Sequence, residues 1–120
     1  MSRNILFVDD EVPIRELLSL RFRMKGMTVT AAATGAEAIA LAKKIPFDLV
    51  ILDVDLGGEN GLELLDVFKR DKPGIPVIMF TSLGDDPALV KDALARGAAA
   101  CMSKTEPIES LMKEVQRVLA

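Results

Sequence analysis

The acids that could do chemistry in this 120-residue chain fall into two tight groups. Asp9, Asp10 and Glu11 follow the apolar run NILFV, and Asp53 and Asp55 follow LVIL. Two hydroxyls, Thr81 and Ser82, follow PVIMF, and Ser103 and Lys104 follow AACM. Carboxylates gathered at one place repel one another, and without a counter-ion at least one pKa rises. Magnesium resolves the conflict, because it takes oxygen ligands, keeps waters and commonly uses one or two carboxylates together with phosphate oxygens. A hydroxyl and an ammonium suit phosphoryl oxygens. Carboxylate nucleophile, metal, hydroxyl and lysine make a phosphoryl-transfer site, since such catalysis is mostly positioning and charge neutralisation. An aspartate nucleophile needs no general base, because carboxylates ionise well below neutral pH. The chain has no histidine, and this chemistry requires none.

Composition removes several other function classes. Without histidine there is no Ser-His-Asp or Cys-His catalysis and no imidazole ligand. The single cysteine, Cys101, excludes an internal disulfide and a multi-cysteine metal site. A net charge of −3 gives no general reason to bind nucleic acid, so a DNA-related role would act through a partner or a further domain. No apolar run approaches the ~18 residues of a membrane span. The short apolar stretch near the N-terminus meets acids at once, unlike a signal peptide. The chain reads as soluble and cytoplasmic, with residues 1–120 forming one domain.

The elements that must position these residues alternate along the chain. Residues 4–8 read as a strand, and 12–25 as a helix with Pro13 in its first turn and Ile14, Leu17, Leu18 and Phe22 on one face. A weaker strand covers 28–32. Thr34 stands three residues before Glu37, a capping-box spacing, and opens a helix to about Lys44. A strand over 48–52 and a helix over 61–72, with Leu62, Leu65 and Phe68 inward, come next. Residues 76–80 are a fourth strand, and Asp86-Pro87 begins a helix as N-cap and N1 proline. A short strand over 99–102 precedes a last helix starting near Pro107. This (βα)5 pattern implies a doubly wound parallel sheet with helices on both faces. Ligands of such sheets bind beyond the carboxyl ends of the strands, where the acids, hydroxyls and lysine stand.

On these residues the chain resembles the receiver domain of a two-component response regulator, end to end. The resemblance rests on the pair Asp9-Asp10, on Asp53, on Gly61 eight residues later, on Thr81 and on Lys104. It implies a strand order of 2-1-3-4-5 and phosphorylation of Asp53 from the phosphohistidine of a sensor histidine kinase or phosphotransfer protein. It implies Mg2+ at Asp10, Asp53 and the backbone carbonyl of Asp55, with Asp9 acting largely through water, and Lys104 and Thr81 holding the phosphoryl group. It also implies a switch read by an output protein or output domain rather than turnover, with Thr81 and position 101 as switch positions.

The sequence departs from the family pattern at four positions. Gly57, followed by Gly58, replaces a common proline, which predicts a more mobile loop. Thr105 replaces the proline after the lysine, and a trans Lys104–Thr105 peptide is expected because a non-proline cis bond costs ~2.5–4 kcal/mol. Cys101 replaces an aromatic, so switching should not depend on a large rotamer change there. Asp55 adds an acid near the path of an attacking water; its backbone carbonyl is the ligand candidate and its side chain the more dispensable group. The Asp53-Val54-Asp55 spacing also resembles the haloacid-dehalogenase phosphatases, with Asp53 as nucleophile and Asp55 as acid/base. In that family, however, the motif lies on the first strand and a later acidic pair completes the metal site. A third reading is a receiver-like interaction module that is not phosphorylated. The retained acids, Thr81 and Lys104 weigh against it.

Overall fold

The computed structural model describes residues 3–120. The chain alternates strands and helices: β1 (Asn4–Val8), α1 (Val12–Met24), β2 (Thr28–Ala32), α2 (Gly35–Lys44) and β3 (Leu49–Leu52). Two short strands, β4 (Asp55–Leu56) and β5 (Glu59–Asn60), precede α3 (Gly61–Asp71). Then come β6 (Val77–Thr81), α4 (Pro87–Ala95), β7 (Ala100–Ser103) and α5 (Ile108–Leu119). The five long strands form one parallel sheet in the order β2-β1-β3-β6-β7. Counting sheet strands alone, this is the expected 2-1-3-4-5.

Alternation along the central strands divides their side chains between two cores. Leu6, Val8, Val50, Leu52, Val77 and Met79 pack on one face with residues of α2, α3 and α4. Ile5, Phe7, Leu49, Ile51, Ile78 and Phe80 pack on the other with residues of α1 and α5. Both faces are covered, which is why β3 and β6 are apolar throughout rather than alternating. Two expected helix caps are present: Thr34 Oγ1 accepts from Glu37 N, and Asp86 Oδ1 accepts from Ala88 N.

Three features differ from the sequence expectation. Strands β6 and β7 each run one residue further than apolar content suggests, so Thr81 and Ser103 end strands rather than follow them. Hydrogen bonding, which apolar content does not report, sets those ends. On α1, Leu18 and Phe22 are buried but Leu17 is 44% exposed, because the inward face is narrower than the apolar set. The third difference is the extra hairpin β4–β5. Leu56 pairs with Glu59, which leaves Gly57 and Gly58 as a two-residue turn with φ of 57° and 98°. Such a turn needs positive φ at both central residues, the conformation glycine adopts without steric cost. The loop expected to be mobile is thus folded into a hairpin. Its second strand is tied down by Gly35 N donating to Glu59 Oε1, and by Asn60 Oδ1 accepting from Leu62 N at the start of α3.

Gly61 lets α3 approach the end of β3. A Cβ there would stand 1.9 Å from the carbonyl oxygen of Asp53, a backbone atom that cannot yield locally. Gly61→Ala should therefore destabilise the fold by about 3 kcal/mol, the upper end of overpacking costs. Gly74→Ala, where a Cβ would meet nothing within 4 Å, is the control, and urea unfolding of both variants measures the difference.

Candidate functional site

Backbone hydrogen bonds carry the sheet one residue past its strands and fix the positions of the acids and the lysine. Asp9 N donates to Ala32 O, Asp53 N to Val8 O and Lys104 N to Thr81 O, at 3.0, 3.1 and 2.9 Å. Because β1, β3, β6 and β7 are neighbours, Asp9, Asp53, Thr81 and Lys104 stand at one edge of the sheet. Asp9, Asp53 and Thr81 are buried, while Asp10 lies exposed at the rim.

Lys104 is the centre of the cluster. Its Nζ donates to Asp53 Oδ2 at 2.7 Å and to Glu11 Oε1 at 2.6 Å, and lies 2.7 Å from Asp9 Oδ2. The contact with Asp9 is ionic but misaligned for a hydrogen bond, so Asp9 Oδ2 is a buried oxygen that accepts none. The other oxygen, Asp9 Oδ1, accepts from Glu11 N at 2.9 Å. Burial works against the charge on Lys104, but its hydrogen bonds to Asp53 and Glu11 and its ionic contact with Asp9 outweigh it and hold the ammonium above its usual pKa. For Asp9 the balance is reversed. Burial pushes its carboxyl up, the negative charge of Asp53 adds to this, and Lys104 and the Glu11 N–H compensate only in part.

Each of Asp9, Asp10 and Asp53 offers a carboxylate oxygen, and the three oxygens lie within 4.8 Å of one another. An all-oxygen set of three carboxylates with one unsatisfied buried oxygen fits a hard divalent cation such as magnesium. Thr81 Oγ1 accepts from Leu83 N at 3.3 Å, leaving its proton for another acceptor.

The remaining predicted positions lie around this cluster. Asp55 has an exposed side chain and belongs to β4, and its N–H faces Asp53 Oδ1 at 3.3 Å. Its carboxylate stands outside the group formed by Asp9, Asp10 and Asp53. Cys101 is half-buried on β7, packs against the core under α2–α4, and has its thiol pKa raised by burial. No peptide among the described residues is cis, so Lys104–Thr105 is trans. Thr105 instead joins a small network: its hydroxyl lies 2.7 Å from Ser103 Oγ, and its N–H donates to the same oxygen at 3.1 Å. Sequence reasoning noticed Glu11 among the acids after β1 but gave it no place in the site. Its contact with Lys104 spans 93 positions of sequence, and no local pattern signals it.

The raised pKa of Asp9 has a definite sign for stability. The folded state holds that proton more tightly than the unfolded state does. Its stabilising effect is complete below the unfolded value of about 3.9 and is lost as pH rises through the raised folded value. In metal-free protein Asp9→Asn should therefore be more stable than wild type at pH 7, with the gap closing towards pH 4, as read by urea melts across that range.

The sequence matches the response regulator receiver domain family over residues 5–116. The transcriptional regulatory protein GlrR of Escherichia coli K12 is 30% identical over 116 residues, 97% of this chain. This chain spans 26% of the length of that protein. Among solved structures, the chemotaxis protein CheY4 of Vibrio cholerae superposes with a TM-score of 0.92 at 32% identity, covering 99% of this chain and 100% of that one. A chain of the CheX-CheY-BeF3-Mg+2 complex from Borrelia burgdorferi superposes with a TM-score of 0.90 at 30% identity, covering 98% and 90%. With the buried carboxylates and lysine at the carboxyl edge of a 2-1-3-4-5 sheet, this chain belongs to the response regulator receiver domains of two-component signalling.

Proposed function

We propose that this domain accepts a phosphoryl group on Asp53 from the phosphohistidine of a sensor histidine kinase or phosphotransfer protein, and that the aspartyl phosphate switches its partner contacts. The observation that carries this reading is Asp53 Oδ2 held 2.7 Å from Lys104 Nζ, with Asp9 and Asp10 oxygens beside it. Asp53 supplies the oxygen that attacks phosphorus as the P–N bond of the donor breaks. Lys104 neutralises one phosphoryl oxygen, and the Thr81 hydroxyl donates to another. Asp9, Asp10 and Asp53, with the Asp55 carbonyl, would hold Mg2+, which supplies charge neutralisation of the phosphoryl oxygens when bound. The Borrelia neighbour, solved with BeF3 and magnesium, supports that ion.

The domain assists its own phosphorylation and dephosphorylation, yet its role is that of a switch and not of a turnover enzyme. Residues 1–120 act as one receiver domain in the cytoplasm, and among the described residues no helix is long and apolar enough to cross a membrane. The output is a partner protein or a domain beyond this sequence, which fits the short share of GlrR that the chain covers. Binding to nucleic acid is left to that output. Thr81 and position 101 carry the switch, with the cysteine making no large rotamer change.

Acetyl phosphate with magnesium should label the protein to one phosphoryl group per chain, read by intact-protein mass spectrometry. Asp53→Asn should abolish labelling and Asp55→Asn should largely retain it. Labelling that persists in Asp53→Asn but disappears in Asp55→Asn would overturn the reading. Removing one charge-stabilising group of this kind costs about 100-fold in rate, so Lys104→Ala should slow labelling by that order. Chelating the metal with EDTA should stop labelling altogether.

A further inference from the structure

Glu11 stands at the N-cap of α1, where a side chain ordinarily accepts a hydrogen bond from the first helical turn. Here it makes no cap bond. The side chain turns back over the sheet edge and accepts from Lys104 Nζ at 2.6 Å, although it is 56% exposed. Ion pairs with so open a partner add little to stability, so folding energetics alone give the contact no purpose.

The other partners of Lys104 suggest one. Its ammonium sits on Asp9 Oδ2 and Asp53 Oδ2, and both residues belong to the set that fits a divalent cation. Two cations on the same carboxylates repel each other, so the ammonium must give ground when the ion binds. Glu11 is the carboxylate partner of Lys104 that lies outside the ion's ligand set. From the geometry we propose that Glu11 is a positioning residue: it retains the Lys104 ammonium at the rim of the site when a divalent cation takes Asp9 and Asp53, keeping it within reach of a phosphoryl oxygen on Asp53. This rests on the proposed function for its purpose, but the retention itself is independent of phosphorylation.

The test is side-chain NMR of Lys104 in isotope-labelled protein, with and without MgCl2, in wild type, Glu11→Ala and Glu106→Gln. Glu106 is an exposed acid close in sequence to Lys104 and controls for loss of one negative charge. Without magnesium, Lys104 should be ordered in all three proteins, held by Asp9 and Asp53. With magnesium it should stay ordered in wild type and Glu106→Gln, and become as mobile as a surface lysine in Glu11→Ala. A purely structural role for Glu11 would not produce an effect that appears only with the ion. Labelling by acetyl phosphate should slow by up to about fivefold in Glu11→Ala, the upper end for an exposed ion pair, and Glu11→Gln should fall between. Equal order of Lys104 in wild type and Glu11→Ala with magnesium would overturn the proposal. So would a wild-type Lys104 Nζ chemical shift that stays the same when magnesium is added, because the ammonium would then not have left Asp9 and Asp53, or an equal slowing of labelling in Glu106→Gln. If wild type is not labelled at all, the phosphorylation reading fails, while the magnesium-dependent order of Lys104 still decides the role of Glu11.

Discussion

One ammonium among four carboxylates is the interaction on which this structure turns. Asp9, Asp10, Glu11 and Asp53 crowd one edge of the sheet, and Lys104 is the cation that touches three of them. The arrangement is electrostatically incomplete. Lys104 compensates Asp53 well and Asp9 poorly, which leaves a buried oxygen without a hydrogen bond and a carboxyl whose pKa is raised by burial. Functional sites commonly hold such unspent electrostatic free energy. A site fully satisfied at rest would have nothing to gain from a metal ion or a phosphoryl group.

The rest of the fold keeps that cluster from relaxing. Repulsion could be relieved if β1 or β3 slid or frayed, but both are clamped in the middle of the sheet with apolar side chains on each face. Each fully buried Leu, Ile or Phe contributes about 1.5–3 kcal/mol, so the many buried side chains of the two cores outweigh one imperfectly paired carboxylate. The backbone ladder extends to Asp9, Asp53 and Lys104 themselves. Gly61 adds to this by letting α3 close directly onto the Asp53 carbonyl. The backbones that carry the charged groups are therefore held by rigid elements.

Much of this was legible in the sequence because it is written in local signals. Apolar runs marked all five sheet strands, and the Thr34 and Asp86 caps were readable from spacing alone. The acids, Thr81 and Lys104 were found because each stands at or just past the end of an apolar run, and a parallel sheet brings strand ends together. The hairpin β4–β5 escaped because two-residue strands are too short to show alternation, although the Gly57-Gly58 pair between them is a recognisable turn signal. Leu17 was misplaced because apolar residues occupy more of α1 than the core can cover; Val12, Leu20 and Met24 are exposed as well. Glu11 escaped for a different reason. Its partner lies at the far end of the chain, and a glutamate at a helix start has an ordinary local explanation that the structure then denies.

The division of the central strands between two cores has a consequence for how such a chain can vary. The buried residues on the two faces form disjoint sets, so a change of volume at Ile51 is felt under α1 and α5, while one at Leu52 is felt under α2, α3 and α4. Sites without shared partners respond nearly additively. Each half can then drift by its own compensations, with the hydrogen-bonded plate between them as an unchanging reference. A chain built this way can replace about two thirds of its residues, as the 32% identity with CheY4 illustrates, and still superpose with a TM-score of 0.92. The same plate keeps the acidic edge in register through that divergence, because its strands are held by backbone groups that no substitution short of proline removes.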